Sequence, residues 1–304
     1  MKLIITLAIL SGLLLALFLW LRPVIGSRGT PTQPNVRGRA SNPAPDGTLG
    51  GAVIAGPPAS TIGPAIPRPG AADVARAGVT HADQMEGEIL ALVNQERAKV
   101  KAGSLQSDPT LQVTARGHSD DMFVRGFFGH DDPDGLSAAD RIAKAHRQMI
   151  GLTGENIWMG VNLDLTDRKK VAAMIMNDWM RSLGHRTNIL KQDYTHLGVG
   201  VAVKGRDVRA TQNFAAVYAL TNQAVPALVR DGQGLDLVAK PISASAAPDQ
   251  FEFFASDKGL AVGGARAITG ATVKNVPAGV YKLRFLFPRA GGHVIYWGPW
   301  IEVK

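Results

Sequence analysis

The sequence predicts an α+β protein: an α-β-α sandwich followed by a small all-β domain, with a transmembrane helix at the N-terminus. Three observations carry this reading. Leu3 to Leu21 is an apolar run interrupted only by Thr6, Ser11 and Gly12. Apolar residues recur at helical spacing from Asp83 onward and pass into strand-like segments near His196. Beyond Asn222, short runs rich in β-branched and aromatic residues are separated by Gly and Pro turns.

The apolar run has a length of nineteen residues. At a helical rise of about 1.5 Å per residue it nearly matches a hydrocarbon core of roughly 30 Å. No Ala-x-Ala cleavage site follows, so residues 1–22 are expected to act as an uncleaved signal-anchor; a cleaved signal peptide, which would make the protein secreted, is the alternative. Arg22, Arg28, Arg37 and Arg39 follow the span, and the positive-inside rule taken alone places the C-terminal side in the cytoplasm. Residues 23–82 are dense in Pro, Gly, Ala, Ser and Thr and read as a spacer that lifts the next domain off the membrane. Pro64 to Pro67, a Pro-x-x-Pro followed by the basic Arg68, is a ligand-like feature in it.

In residues 83–222, Met85, Ile89, Leu92 and Val93 give a first amphipathic helix. Asp108-Pro109 opens a second, with aspartate as N-cap and proline at the first helical position. Its inner face carries Leu111, Ala115, His118 and Met122. A turn at Asp132 to Gly135 precedes a short helix from Ser137 to Ala145, and a further helix runs from Arg168 to Arg181 with Val171, Ile175 and Trp179 in its stripe. His196 to Lys204 and Ala210 to Leu220 read as strands. Residues 223–304 form the β domain, in which Tyr281 to Phe287 alternates with period two.

Composition limits the chemistry. The 304 residues are 45% hydrophobic, enough for a packed core, and the formal charge is +8. The absence of cysteine removes disulfides, thiolate metal sites and cysteine nucleophiles. No nucleic-acid-binding pattern accompanies the basic balance, so no nucleic-acid partner is expected. Nor is there a His-Glu-x-x-His, Gly-x-Ser-x-Gly, Walker or dinucleotide motif. Asp120 and Asp121 are adjacent on a helix and face apart, so they do not form a paired acid and base.

The functional signal lies in three glycine-flanked segments: Gly126-Phe127-Phe128-Gly129-His130, Gly154-Glu155-Asn156-Ile157 and Gly184-His185-Arg186-Thr187-Asn188. Imidazole and carboxylate are the groups that hold a divalent metal or move protons. His118 reads as a structural histidine beside them, Asn94 and Arg97 as ties between the first helix and the loops, and Trp179 as core. His81, His146, His196 and His293 have no partner motif and read as solvated or turn residues.

These segments, with Val93 to Arg97, Ala115 to Met122, Trp179 to Arg186 and Leu197 to Val201, resemble the SCP or CAP domain in its bacterial branch. The resemblance covers about Asp83 to Asn222 and implies an exported, extracytoplasmic α-β-α domain, against the orientation that the charges flanking the apolar run would give. It also implies a shallow groove in which His130 and His185 face one another beside Glu155 and can hold a divalent metal such as zinc. Many relatives carry a second glutamate where this chain has Ser182, and that departure removes one negative charge from the groove. The resulting expectation is a membrane-tethered envelope protein that binds a lipid, wall fragment or peptide, with no catalytic assignment. The alternatives are a metal-assisted hydrolase with Glu155 as base, and a structural or adhesive module. Composition further predicts that deleting Met1 to about Thr80 leaves a folded fragment. Its thermal midpoint should match that of the full chain in detergent to within a few degrees, and a loss of about 10 °C would show that the deleted part docks on the domain.

Overall fold

Arg97 shows how tightly the first long helix is tied to the rest of the fold. Its guanidinium is fully buried and donates to four backbone carbonyls, of Gly103, Ile189, Lys191 and Tyr194, at 2.6–3.1 Å. Asn94 exchanges hydrogen bonds with the backbone of Leu105 beside it. The computed structural model describes residues 70–304. The expected signal-anchor and most of the expected spacer lie outside these residues. Among the described residues no helix is long and apolar enough to cross a membrane.

The elements run in the order α1 (Ala71–Arg76), β1 (Thr80–His81), α2 (Asp83–Lys99), β2 (Gln106–Ser107), α3 (Pro109–Val124), α4 (Ala138–Ala145), β3 (Met149–Gly160), α5 (Arg168–Arg181), α6 (Leu183–Leu190), β4 (His196–Lys204) and β5 (Asp207–Thr221). There follow β6 (Leu228–Val229), β7 (Ala239–Pro241), β8 (Gln250–Ala255), β9 (Leu260–Ala267), β10 (Gly279–Arg289) and β11 (Gly292–Val303). Local chemistry fixes several boundaries. The Asp108 carboxylate accepts the Leu111 amide ahead of Pro109, and Ser137 with Asp140 closes a capping box on α4.

In the first half, β4, β5 and β3 form an antiparallel sheet between two helical layers. One face packs Val199, Val201, Ala210 and Phe214 against Met85, Ile89 and Val93 of α2 and Ile175 and Trp179 of α5. The other face meets α3 and α4 through Leu111, Ile142, Ala215 and Val217. The approach of α3 to β4 is close enough to forbid side chains. A Cβ built on Gly198 would lie 2.1 Å from the Leu111 carbonyl carbon, and one on Gly200 would lie 2.1 Å from the Arg116 nitrogen. The two glycines alternate along β4, so both turn toward the helix and let its backbone rest on the strand.

Three features differ from the sequence reading. The segment after Gly70 belongs to the fold: β1 pairs with β4, Val79 and Ala82 are buried, and His81 donates to the Asp120 carboxylate at 2.9 Å. A cut near Thr80 would therefore remove α1 and part of β1 from the packed fold. The sequence reading placed no strand between Ala145 and Arg168, yet Gly154-Glu155-Asn156-Ile157 is the middle of the long strand β3, in register with Thr211 to Phe214 of β5. The histidines without motifs also have partners: besides His81, His146 meets the Asp108 carboxylate at 3.3 Å, His196 meets the Thr195 hydroxyl at 2.8 Å, and His293 meets Asp249 at 3.0 Å.

The strands after residue 222 enclose their own apolar cluster, with Phe251, Phe253, Leu283, Phe285, Phe287, Ile301 and Val303 at its centre and Ile150 and Ala219 contributed by the first half. They also continue the first sheet. The path β4-β5-β3 passes into β11-β10-β8-β9 through the pair Gly151–Trp297. Lys282 of β10 adds an ion pair of 2.6 Å with Asp140 of α4 and lies over the Trp297 and Trp300 rings.

Gly200→Ala is expected to destabilise the protein by about 2–3 kcal/mol, because the added methyl must push backbone away from backbone in a packed interface. Urea unfolding of the variant beside wild type measures it; a change below about 0.5 kcal/mol would show that α3 yields freely.

Candidate functional site

The site assembles on β3. Glu155 sits at mid-strand, and only 3% of its side chain is exposed. The strand register aims it at the space between α3, α4 and the loop before α4. His130, on that loop, approaches with Nδ1 2.9 Å from Glu155 Oε1. A carboxylate at this site accepts, so Nδ1 carries the proton and Nε2 faces away from Glu155. Arg141 of α4, itself 2% exposed, donates to Glu155 Oε2 at 2.6 Å. Its other amino group donates to the His130 and Leu136 carbonyls at 2.8 and 2.7 Å, so the same guanidinium fixes the loop on which His130 stands.

Further groups lock the carboxylate. Asn213 of β5, with its amide oriented to satisfy both neighbours, donates to Glu155 Oε2 at 3.2 Å and accepts the Ala115 amide at 3.2 Å. His118 of α3 donates Nε2–H to the Gly129 carbonyl at 2.9 Å and lies 4.0 Å from Glu155 Oε1. Its Nδ1 is enclosed without a partner among the described residues, and burial, outweighing the attraction of Glu155, holds its pKa below the ordinary imidazole value. Burial alone would raise the Glu155 pKa. The hydrogen bond from His130 and the charges of Arg141, His118 and His130 outweigh it, and the group is held below the usual carboxylate range.

His185 reaches the same region from α6. Asn156, the neighbour of Glu155, donates to the His185 carbonyl at 3.1 Å, and Asn188 of α6 donates back to the Glu155 carbonyl at 3.1 Å and to Asn156 Oδ1 at 3.0 Å. These bonds set α6 against β3. Gly154 completes the join, since a Cβ there would meet the Tyr194 hydroxyl at 2.1 Å. Burial, with repulsion from His130, lowers the His185 pKa and keeps its imidazole neutral near pH 7. Ser182 lies at the junction of α5 and α6 and caps α6 through no side-chain bond.

The structure thus joins His130 to Glu155 directly and ties the backbone of His185 to Asn156, the neighbour of Glu155. Among the described residues no three His, Asp or Glu side chains are arranged as a metal-ligand set. Arg141, Asn188 and Asn213 are the participants that sequence reasoning did not single out. Arg141 gave a faint signal, a charged residue in the short Ala138–Ala145 helix beside the buried Ile142 and Ala143.

Residues 90–217, which hold this α-β-α sandwich, match the model of the cysteine-rich secretory protein family, CAP. That segment is a CAP domain of the bacterial kind. Two Bacillus subtilis (strain 168) proteins are similar to it. The uncharacterized protein YkwD is 36% identical over 120 residues, covering 40% of this chain and 43% of YkwD. The uncharacterized membrane protein YlbC is 36% identical over 129 residues, covering 42% of this chain and 34% of YlbC. The chain therefore spans less than half the length of either relative. Among solved structures, an extracellular SCP-domain protein from Bacillus anthracis str. Ames shares 32% identity, with 44% of this chain and 40% of that one covered and a TM-score of 0.37.

Arg141→Met should cost about 3–5 kcal/mol, because it leaves the Glu155 carboxylate buried beside one partner fewer. The double change Arg141→Met with Glu155→Leu should recover a good part of that loss. Chemical unfolding of the two variants checks both statements, and equal stability of single and double variants would show that the pair is not coupled.

Proposed function

We propose that this chain is a membrane-tethered, extracytoplasmic envelope protein whose CAP domain binds a ligand at the His130–His185 imidazole pair. The observation that carries the reading is the commitment of Glu155. One oxygen is held by His130, the other by Arg141, and the whole group is buried. A carboxylate so engaged has a depressed proton affinity and no free edge toward a substrate, which makes it a poor general base and a good orienting group. The same commitment disfavours the hydrolase alternative, in which Glu155 must accept a proton from water.

Glu155 turns His130 so that Nε2 faces away from the carboxylate. Together with the neutral His185 this offers two acceptor nitrogens, the second-sphere logic by which carboxylates orient metal-binding histidines. The donor set fits a loosely held divalent cation whose remaining positions are filled by ligand or water. It does not fit a catalytic zinc centre, which takes three protein ligands, since Glu155 is spent and Ser182 supplies no carboxylate. A bound cation would lend positive charge to an anionic or carbonyl-bearing ligand. Lipid, wall fragment and peptide all present such groups. Tethering and export rest on the apolar run Leu3 to Leu21 and on the family.

Zinc titrated into the full-length protein should bind weakly, and His130→Ala or His185→Ala should weaken it further. Imidazole ligates only when neutral, so affinity should be highest above about pH 6.5 and fall as the pH drops through the folded-state pKa values. Because the His185 pKa is lowered, part of that loss should come below pH 6.5. Calorimetry at pH 7.5 and 5.0 should differ by at least about tenfold. Equal affinity at the two values, or in the two variants, would sink the cation reading.

A further inference from the structure

A cavity lies outside the family segment, at the far edge of the sheet. It has a volume of about 470 Å³ and is formed by the end of β9 and the turn that follows, with Arg266, Thr269, Gly270, Thr272, Lys274 and Asn275 in its wall. Two cations face it and no acidic side chain lines it. Asp231 is the neighbouring acid, and it lies outside the lining with its carboxylate accepting the Asn275 amide at 3.2 Å.

Arg266 is held in place rather than paired. One amino group donates to the Lys274 carbonyl at 2.8 Å, and the guanidinium lies over the Phe253 ring at 5.3 Å. Gly263 makes room for it: a Cβ there would fall 2.4 Å from the second amino nitrogen, and the glycine sits at φ +72° besides. Among the described residues Arg266 has no carboxylate partner, and its Nε is enclosed without an acceptor. Among the described residues the exposed Lys274 forms no ion pair, and the exposed Thr269 and Thr272 hydroxyls have no hydrogen-bond partner. A fixed guanidinium with donors to spare, a free ammonium and two hydroxyls around one concavity match an oxyanion of several oxygens better than a single carboxylate. The volume also exceeds what one inorganic anion needs and falls in the range of ligand sites.

We propose that this cavity binds a phosphate group, with Arg266 and Lys274 on its oxygens and the threonine hydroxyls completing the shell. The bearer is either free phosphate or a phosphate carrying an organic substituent, as in a lipid headgroup or a wall polymer.

Full-length protein titrated with inorganic phosphate and, separately, with glycerol 3-phosphate tests the site by calorimetry. Saturable binding is expected for at least one probe, weakened about tenfold in Lys274→Gln, the factor lost with one charge-assisted hydrogen bond. Tighter binding of glycerol 3-phosphate would assign the site to a substituted phosphate, and equal or weaker binding to the free anion. Arg266→Gln should weaken binding at least as much; because Arg266 also covers Phe253, the exposed Lys274→Gln decides if that variant unfolds. No saturation by either probe up to about 10 mM, or affinity unchanged in Lys274→Gln, would overturn the proposal. His130→Ala should leave phosphate binding intact, so failure here and failure at the imidazole pair are separate outcomes.

Discussion

The buried carboxylate of Glu155 is the constraint on which the candidate site depends. A charge in a protein interior is tolerated only when paired and hydrogen-bonded, and here Arg141, His130 and Asn213 supply those partners from α4, a loop and β5. Each partner is thereby fixed by the same group. Arg141 then spends its second amino group on the His130 and Leu136 carbonyls, so the loop that carries the imidazole has its backbone and side chain anchored to one ion pair. His118 anchors the residue before it through Gly129. The consequence for chemistry is that Glu155 serves geometry, and the imidazoles are left to meet whatever binds.

That arrangement needs a rigid base, and close backbone packing provides it. Gly198 and Gly200 let α3 lie directly on β4, which places His118 and Ala115 at the height of Glu155 and Asn213. On the other face, Trp179 fills the core and donates its indole N–H to the Ile157 carbonyl at 3.1 Å, tying α5 to the strand that holds Glu155. The Asn156–Asn188 exchange does the same for α6. Three helices, α4, α5 and α6, are thus set against β3 by a small number of buried polar bonds, each costly to leave unmade.

The later strands extend this frame. Their apolar cluster takes in Ile150 and Ala219, and the Lys282–Asp140 pair links β10 to the helix that presents Arg141. The two halves therefore share strand pairing, core and an ion pair, while the basic cavity at β9 sits at the opposite end of the sheet path from β4.

Local signals in the sequence determined the regular elements. The helix read over Arg168 to Arg181 and the strand read over His196 to Lys204 have those limits in the structure, and Asp108-Pro109 starts α3, because periodicity and capping act within a few residues. The motif blocks likewise pointed to His130, Glu155 and His185. Tertiary structure decided the rest. Glycine beside Glu155 reads locally as a turn, yet Gly154 is small because Tyr194 lies against it across the layer, and the segment is a strand. Arg141 reads as an ordinary helical arginine, and only the packing of α4 on β3 turns it into the partner of a buried acid 14 residues away. His81 found Asp120 for the same reason, through the pairing of β1 with β4. Such pairings are set by strand register and the closeness of layers, quantities that no run of neighbouring residues encodes.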